Sequence, residues 1–272
     1  NICNGRGGGA IQTFTNSLYI DINESKFIYN STNSGGGALN IFSYNNYINI
    51  TGSNFLNNSA ESGGGAVLAS SKPGSNVAYN ISEVFIKNST FAYNYTDGAG
   101  GGIYITASPY SVGYNNLVIS NLKFINSTIA KNHSRYKGGG MYLSTNSFGE
   151  TQSNHQIINS TIVNNSSTEG IGGIFAFNSN ESQSILEITS SIVALNKNLD
   201  INKVDNSINT SIISKGYNIF SDSIILGTIN IGEGKDYLGV DSNNLKLSKL
   251  GCYVGNTLKI IKLNNSISIN KC

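Results

Sequence analysis

The stretch Phe55-Leu56-Asn57-Asn58-Ser59-Ala60-Glu61-Ser62-Gly63-Gly64-Gly65-Ala66-Val67 carries both marks that organise this chain. Its glycine triplet with the following small residue recurs at Gly7 to Ala10 and Gly35 to Ala38. It returns with a larger last residue at Gly100 to Ile103 and Gly138 to Met141, and fades at Ile171 to Ile174. Its first half, an apolar residue followed three positions later by asparagine, recurs as Phe27 and Asn30, Phe91 and Asn94, Ile129 and Asn132, and Ile162 and Asn165. The triplets lie 28, 28, 37 and 38 residues apart (35 − 7, 63 − 35, 100 − 63, 138 − 100), so whole units repeat and some carry insertions.

Between the marks lie short runs rich in β-branched and aromatic residues, such as Tyr47 to Thr51, Val84 to Ile86, Leu117 to Ile119 and Ile185 to Ile188. Bounded by Gly, Asn and Ser, they read as strands. No apolar pattern keeps a helical period for three turns, so the chain is expected to be all-β. Propeller blades need about 40 or more residues, whereas the shorter unit here suits a parallel β-helix. The expected fold is therefore a right-handed parallel β-helix, a solenoid of roughly 28-residue coils, some enlarged by loops. Residues 1-200 read as its repetitive coils and 201-272 as closing coils of the same solenoid.

In such a stack like residues meet vertically, about 4.8 Å apart. The expected ladders are Asn30, Asn58, Asn94, Asn132 and Asn165, then Gly36, Gly64, Gly101, Gly139 and Gly172. A third column is expected from Ala10, Ala38, Ala66, Ile103, Met141 and Ile174. Glycine serves where φ must be positive or where backbones approach closely. Asparagine offers donor and acceptor together, so one rung can bond the next and also satisfy turn backbone. A phosphate-cradling loop would need a helix start after the glycines, and none follows.

The paired marks Phe27-x-x-Asn30 with Gly36-Gly37-Ala38-Leu39, and Phe55-x-x-Asn58 with Gly64-Gly65-Ala66-Val67, resemble the repeats of the polymorphic outer membrane protein family and related secreted β-helix proteins. Ser191 to Asn196, Leu199-Asp200-Ile201 and Gly216 to Ile219 resemble the way such passenger domains end. Leu245, Leu247, Leu250-Gly251 and Ser266 to Asn270 look like an eroded last coil. The chain departs from the pattern where later triplets lose their Ala and where Leu195 stands at the place expected for Asn. The resemblance implies an extracellular or cell-surface protein, structural or adhesive, and names no ligand; a glycan or a surface protein is the partner class expected beside self-association.

Charge is sparse, 12% of residues, and nearly balanced at +2, which argues against a nucleic-acid surface. No apolar run of helix-spanning length exists, and no N-terminal signal segment is visible. Asn1 precedes Gly7 by the gap that separates Asn94 from Gly100, so the sequence reads as starting partway through a coil. An open coil edge pairs with whatever strand is offered, either upstream sequence or the far end of an identical molecule in a head-to-tail filament. Three cysteines leave two readings. Cys252 and Cys272 close the tail with Cys3 free or bonded upstream, or a bridge joins two molecules.

The chain has 42 Asn and 54 Ser plus Thr, and fifteen Asn-x-Ser/Thr patterns. Chance alone gives about eight. Expected N-glycosylation sites are the outward Asn23, Asn49, Asn80, Asn88, Asn126, Asn159 and Asn180. An inward ladder Asn cannot carry a sugar, and a biased genome copied by the repeat would produce the same excess.

Polysaccharide-cleaving enzymes also use this fold, and they need paired carboxylates or an acidic metal site beside a basic catalyst. The seven Asp are scattered singly, and His133 and His155 lack companions and read as surface turn positions. No residue set calls for a catalytic group, metal or cofactor. The leading expectation is a non-catalytic structural or adhesive glycoprotein; the alternative is a carbohydrate-active enzyme or carbohydrate-binding module. Insertions at Ser70 to Tyr79, Ala107 to Asn115 and Thr145 to Asn154 would stack into a ridge bearing Tyr79, Tyr110, Tyr114 and Phe148, either a recognition surface or tolerated length variation.

Overall fold

In the computed structural model, the described residues are 1–5, 7–71, 79–107, 117–145, 151–178, 183–203, 210–222, 229–231, 235–245 and 247. Tyr110, Tyr114, Phe148, Asn180, Cys252 and Cys272 lie outside them, as do the side chains of Tyr79 and Asn80. The described chain is all-β apart from one four-residue helix, Ser242–Leu245. Its strands form three sheets of six, seven and thirteen strands, and the pairing in all of them is parallel.

Each coil visits the three sheets in turn. A three-residue strand such as Asn54–Leu56 or Thr90–Ala92 joins the seven-stranded sheet, and a two-residue strand such as Ser59–Ala60 or Tyr95–Thr96 joins the six-stranded one. Longer strands then form the thirteen-stranded sheet, called the long sheet below. In it Gln183–Thr189 alternates inward Leu186 and Ile188 with outward neighbours, the period-two pattern of a strand with one face in the core. Like residues pair directly: Phe27, Phe55 and Phe91 share one register, and the Phe27–Phe55 and Phe55–Phe91 rings stack with centroids 4.8 and 4.7 Å apart. Where that column changes to Ile129, the next inward column changes from Ile86 to Phe124. The two coils exchange an Ile–Phe pair for a Phe–Ile pair, which keeps the core volume nearly constant.

The insertions fall at one point of the long sheet. Ile11–Asn23 and Leu39–Thr51 are single 13-residue strands, but later coils divide there, ending at Ser71, Ala107, Thr145, Asn178 and Lys203 and resuming at Tyr79, Leu117, Thr151, Gln183 and Thr210. The interior is polar at this break. Asn46, Ser82 and Ser120 are buried, and each has an oxygen without a hydrogen-bond partner. Strands after residue 200 continue the earlier sheets, since Ile201–Lys203 pairs with Ile174–Ala176 and Thr210–Ser214 with Ser184–Ile188.

Coordinates correct three sequence expectations. Gly63 pairs with Ala99 rather than Gly100, so the glycines expected in one column occupy two. Gly36 and Gly64 belong with Gly100 and Gly138, at φ of 69°, 60°, 71° and 66°. These corners need the left-handed conformation that glycine adopts without a Cβ clash. Gly101, Gly139 and Gly172 belong with Gly37 and Gly65; a Cβ on Gly65, Gly101 or Gly139 would strike the carbonyl oxygen of the next glycine in the file. Ala10, Ala38 and Ala66 consequently stack with Gly102 and Gly140, while Ile103, Met141 and Ile174 continue the column of Leu39 and Val67. The glycine spacing hid this because Ala99-Gly100-Gly101-Gly102 stands where Gly63-Gly64-Gly65-Ala66 stands one coil earlier, so the triplet shifts by one residue with no insertion. Second, Leu195 does not replace a ladder Asn; it takes a left-handed corner at φ 57°, and Asn196 is the rung. Third, Leu245 sits in the short helix, packed on Ile192 and Ile219 in a second core cluster, rather than in a coil strand.

Candidate functional site

The buried asparagines form a single file. Nδ2 of Asn30 donates to Oδ1 of Asn58, Asn58 to Asn94, Asn94 to Asn132, Asn132 to Asn165 and Asn165 to Asn196, all at 2.9–3.0 Å, across sequence separations of 28, 36, 38, 33 and 31. The same Oδ1 accepts the backbone N–H of the preceding rung, and the second Nδ2 hydrogen of Asn94 and Asn132 goes to the carbonyls of Phe55 and Phe91. Two donors and two acceptor sites are thus all used, which is what burial of an amide requires. Asn1 joins from the other side, its Nδ2 donating to Asn30 Oδ1 at 3.2 Å.

A second file, of serines, was not anticipated. Backbone N–H groups of Ser25, Ser53, Ser89, Ser127 and Ser160 donate to Oγ of the serine in the next coil at 3.0–3.2 Å, and Ser191 N–H donates to Oδ1 of Asn218. Each hydroxyl donates in turn to the carbonyl two residues back, as Ser127 does to Ile125. The signal was present: a serine stands two residues before each apolar mark.

This file explains the recurring Asn-Ser-Thr patterns. Asn88, Asn126 and Asn159 occupy left-handed corners at φ 52°, 48° and 47°, where asparagine is the best tolerated residue with a side chain. The serines are rungs, and the threonines open the three-residue strands. Asn126 and Asn159 are exposed and Asn88 half-exposed; Asn23 and Asn49 both donate to Asp21 Oδ1 at 2.9 Å.

Both files end on a carboxylate. Asn196 gives its N–H and Nδ2 to Asp200 Oδ1, and Asn218 gives its N–H to Asp236. Asp200 Oδ2 accepts from Ser221 N–H, Ser221 Oγ and Asp222 N–H. Burial first and the Asp222 carboxylate second push the Asp200 carboxyl up, against the bonds from Ser221 and Asn196. Asp200 is fully buried, so it has no face open to a substrate.

The histidines are not turn residues. His155 replaces an apolar residue in the inward column of Val84, Leu122 and Leu186, is fully buried, and is pushed down to about 4 by desolvation, with Nδ1 unpartnered. His133 lies on a two-residue strand, stacked on Tyr95, its ring nitrogens bonded to Ser166 Oγ and Thr168 Oγ1. Cys3 is half-buried and has no disulfide partner among the described residues. Among the described residues no three of His, Cys, Asp and Glu gather as a metal site.

Among the described residues, hollows open on the outside. One of about 440 Å³ lies over Tyr104, Tyr142 and Lys137. Its aromatic faces are engaged, because Tyr104 packs edge-on against Tyr142, Tyr142 stacks on Phe175, and Lys137 Nζ covers the Phe175 ring at 4.6 Å. Another, about 450 Å³, runs over the outer face of the long sheet between Glu83, Phe85, Asn121, Lys123, Asn154 and Gln156. No helix among the described residues is long and apolar enough to cross a membrane. No protein-family model matches the chain, and neither a curated protein nor a solved structure matches it.

Proposed function

We propose that this chain is a right-handed parallel β-helix acting as a non-catalytic extracellular structural or adhesive element, akin to the polymorphic outer membrane protein repeats and related secreted proteins. Right-handed winding follows from the twist of strands that feed parallel crossovers. One observation carries the reading: the asparagine and serine side chains that recur at every coil are spent on two buried hydrogen-bonded files, while Asn121 and Asn154 on the outer long face line an open groove. That is the division expected of a rigid scaffold that displays a surface. Its carboxylates with raised proton affinity are tied to structure: Asp200 ends the asparagine file and Asp222 accepts the Asp200 N–H. N-glycans, where the host attaches them, belong on exposed Asn126 and Asn159 rather than on the buried rungs.

Incubation with a panel of neutral and acidic polysaccharides tests the central claim. The expected result is no new reducing ends and no absorbance from unsaturated uronates. Turnover of any polymer in the panel would overturn the non-catalytic reading.

A further inference from the structure

The outer groove of the long sheet is built differently from the two buried files. Asn121 Oδ1 accepts the N–H of Asn154 at 3.1 Å, but the Asn121 Nδ2 and the whole Asn154 amide have no partner among the described residues. Gln156 gives Nε2 to Glu187 and keeps its Oε1 free. Glu83 and Lys123 belong to neither described ion pair. Phe85 is half-buried between them, with its ring at the groove. The columns Glu83, Asn121, Asn154 and Phe85, Lys123, Gln156 run along the stacking direction, one pair per coil, at the roughly 4.8 Å spacing of sheet strands.

Backbone groups contribute nothing here. The central strand of the groove, Leu117–Ile125, is paired on one side with Tyr79–Lys87 and on the other with Thr151–Ile158, so its main-chain donors and acceptors are taken. A peptide binding by strand addition needs a free edge, and the groove is a face. Recognition falls to amides that donate and accept, one charge of each sign, and an aromatic ring. Hydroxyl arrays match the amides, the C–H face of a sugar matches the ring, and balanced lining charge disfavours a polyanion.

We infer that this groove binds a linear, neutral oligosaccharide laid along the stacking axis. The inference rests on the adhesive reading above and gives it a ligand class.

The test uses the full chain, labelled with nitrogen-15 and titrated with soluble β-1,4-linked glucose and N-acetylglucosamine oligomers, with α-1,4-galacturonate oligomers as the acidic comparison. Side-chain amide signals of Asn121, Asn154 and Gln156 are expected to shift with a neutral oligomer while those of Asn58, Asn94 and Asn132 stay still. Phe85→Ala and Asn154→Ala, both on the outer face, are each expected to weaken binding by about tenfold. The inference is overturned if neither neutral oligomer moves the groove amides, if the galacturonate is preferred, or if both variants bind like the parent. Cleavage of an oligomer that does bind would instead remove the non-catalytic reading and leave the groove in place.

Discussion

Asn94 and Asn121 lie within one turn of the coil, which runs from Asn94 to Asn132, and stand at opposite extremes of use. Asn94 is buried and makes four hydrogen bonds, to Asn58, Asn132, Phe55 and the backbone of Asn58. Asn121 faces the groove and makes one. The same side chain is thus a structural rung in one place and an unsatisfied recognition group in the other. Burial decides which: an unpaired amide inside is costly, and outside water serves it.

The contrast predicts its own largest effect. Asn94→Ala strands two donors of Asn58 and removes one donor each from the oxygen of Asn132 and the carbonyl of Phe55, and is expected to cost about 4 kcal/mol in denaturant unfolding. Asn121→Ala should stay within about 0.5 kcal/mol. Equal losses at the two positions would erase the distinction.

A second polar group inside the coils, His155, sharpens it through pH. Its folded value, down to about 4, lies below the ordinary 6.5, so the folded state holds it neutral. Stability is therefore complete above pH 6.5 and falls as pH drops toward 4, because the unfolded chain takes up the proton first, by about 3 kcal/mol in all. His155→Leu is expected to remove that acid-side loss from the unfolding profile; a profile unchanged by the substitution would place the titration elsewhere.

Ser127→Ala comes next, since it removes one rung that accepts from Ser89 and donates to Ile125. A loss of about 1–2 kcal/mol in the same unfolding measurement is expected, smaller than for Asn94 because fewer partners are stranded. Smallest is Ser190→Asn. Ser190 occupies, at φ 48°, the corner that Asn88, Asn126 and Asn159 occupy in other coils. Asparagine there is expected to add about 0.5 kcal/mol; a destabilised variant would mean that the corner column depends on more than backbone preference.

Much of this architecture could be read in the letters because a repeat imposes the same physical demand at every turn. The Phe-x-x-Asn mark gave the coil spacing correctly, since a rung must meet its neighbour and cannot drift. The glycine triplet did not, because three consecutive glycines tolerate a one-residue slip that a pairing side chain forbids; Gly63 opposite Ala99 is the result. The serine file was legible yet overlooked, because the Asn-Ser-Thr pattern around Ser89, Ser127 and Ser160 reads equally well as a sugar acceptor. The groove was not legible. Glu83, Asn121 and Asn154 share no residue type, and only the register brings them into line. His155 was misjudged for a similar reason, as nothing local distinguishes a core histidine from one in a turn.

Asp200 has a consequence for how such a chain can change length. Every rung before it presents the same donors ahead and the same acceptors behind, so a whole unit could be duplicated or deleted and the flanking rungs would meet as before. Both oxygens of Asp200 accept, from Asn196, Ser221 and Asp222, and neither hands a hydrogen on to a further rung. It ends the asparagine file, so added asparagine rungs fit on its amino-terminal side, while the sheets themselves continue past it.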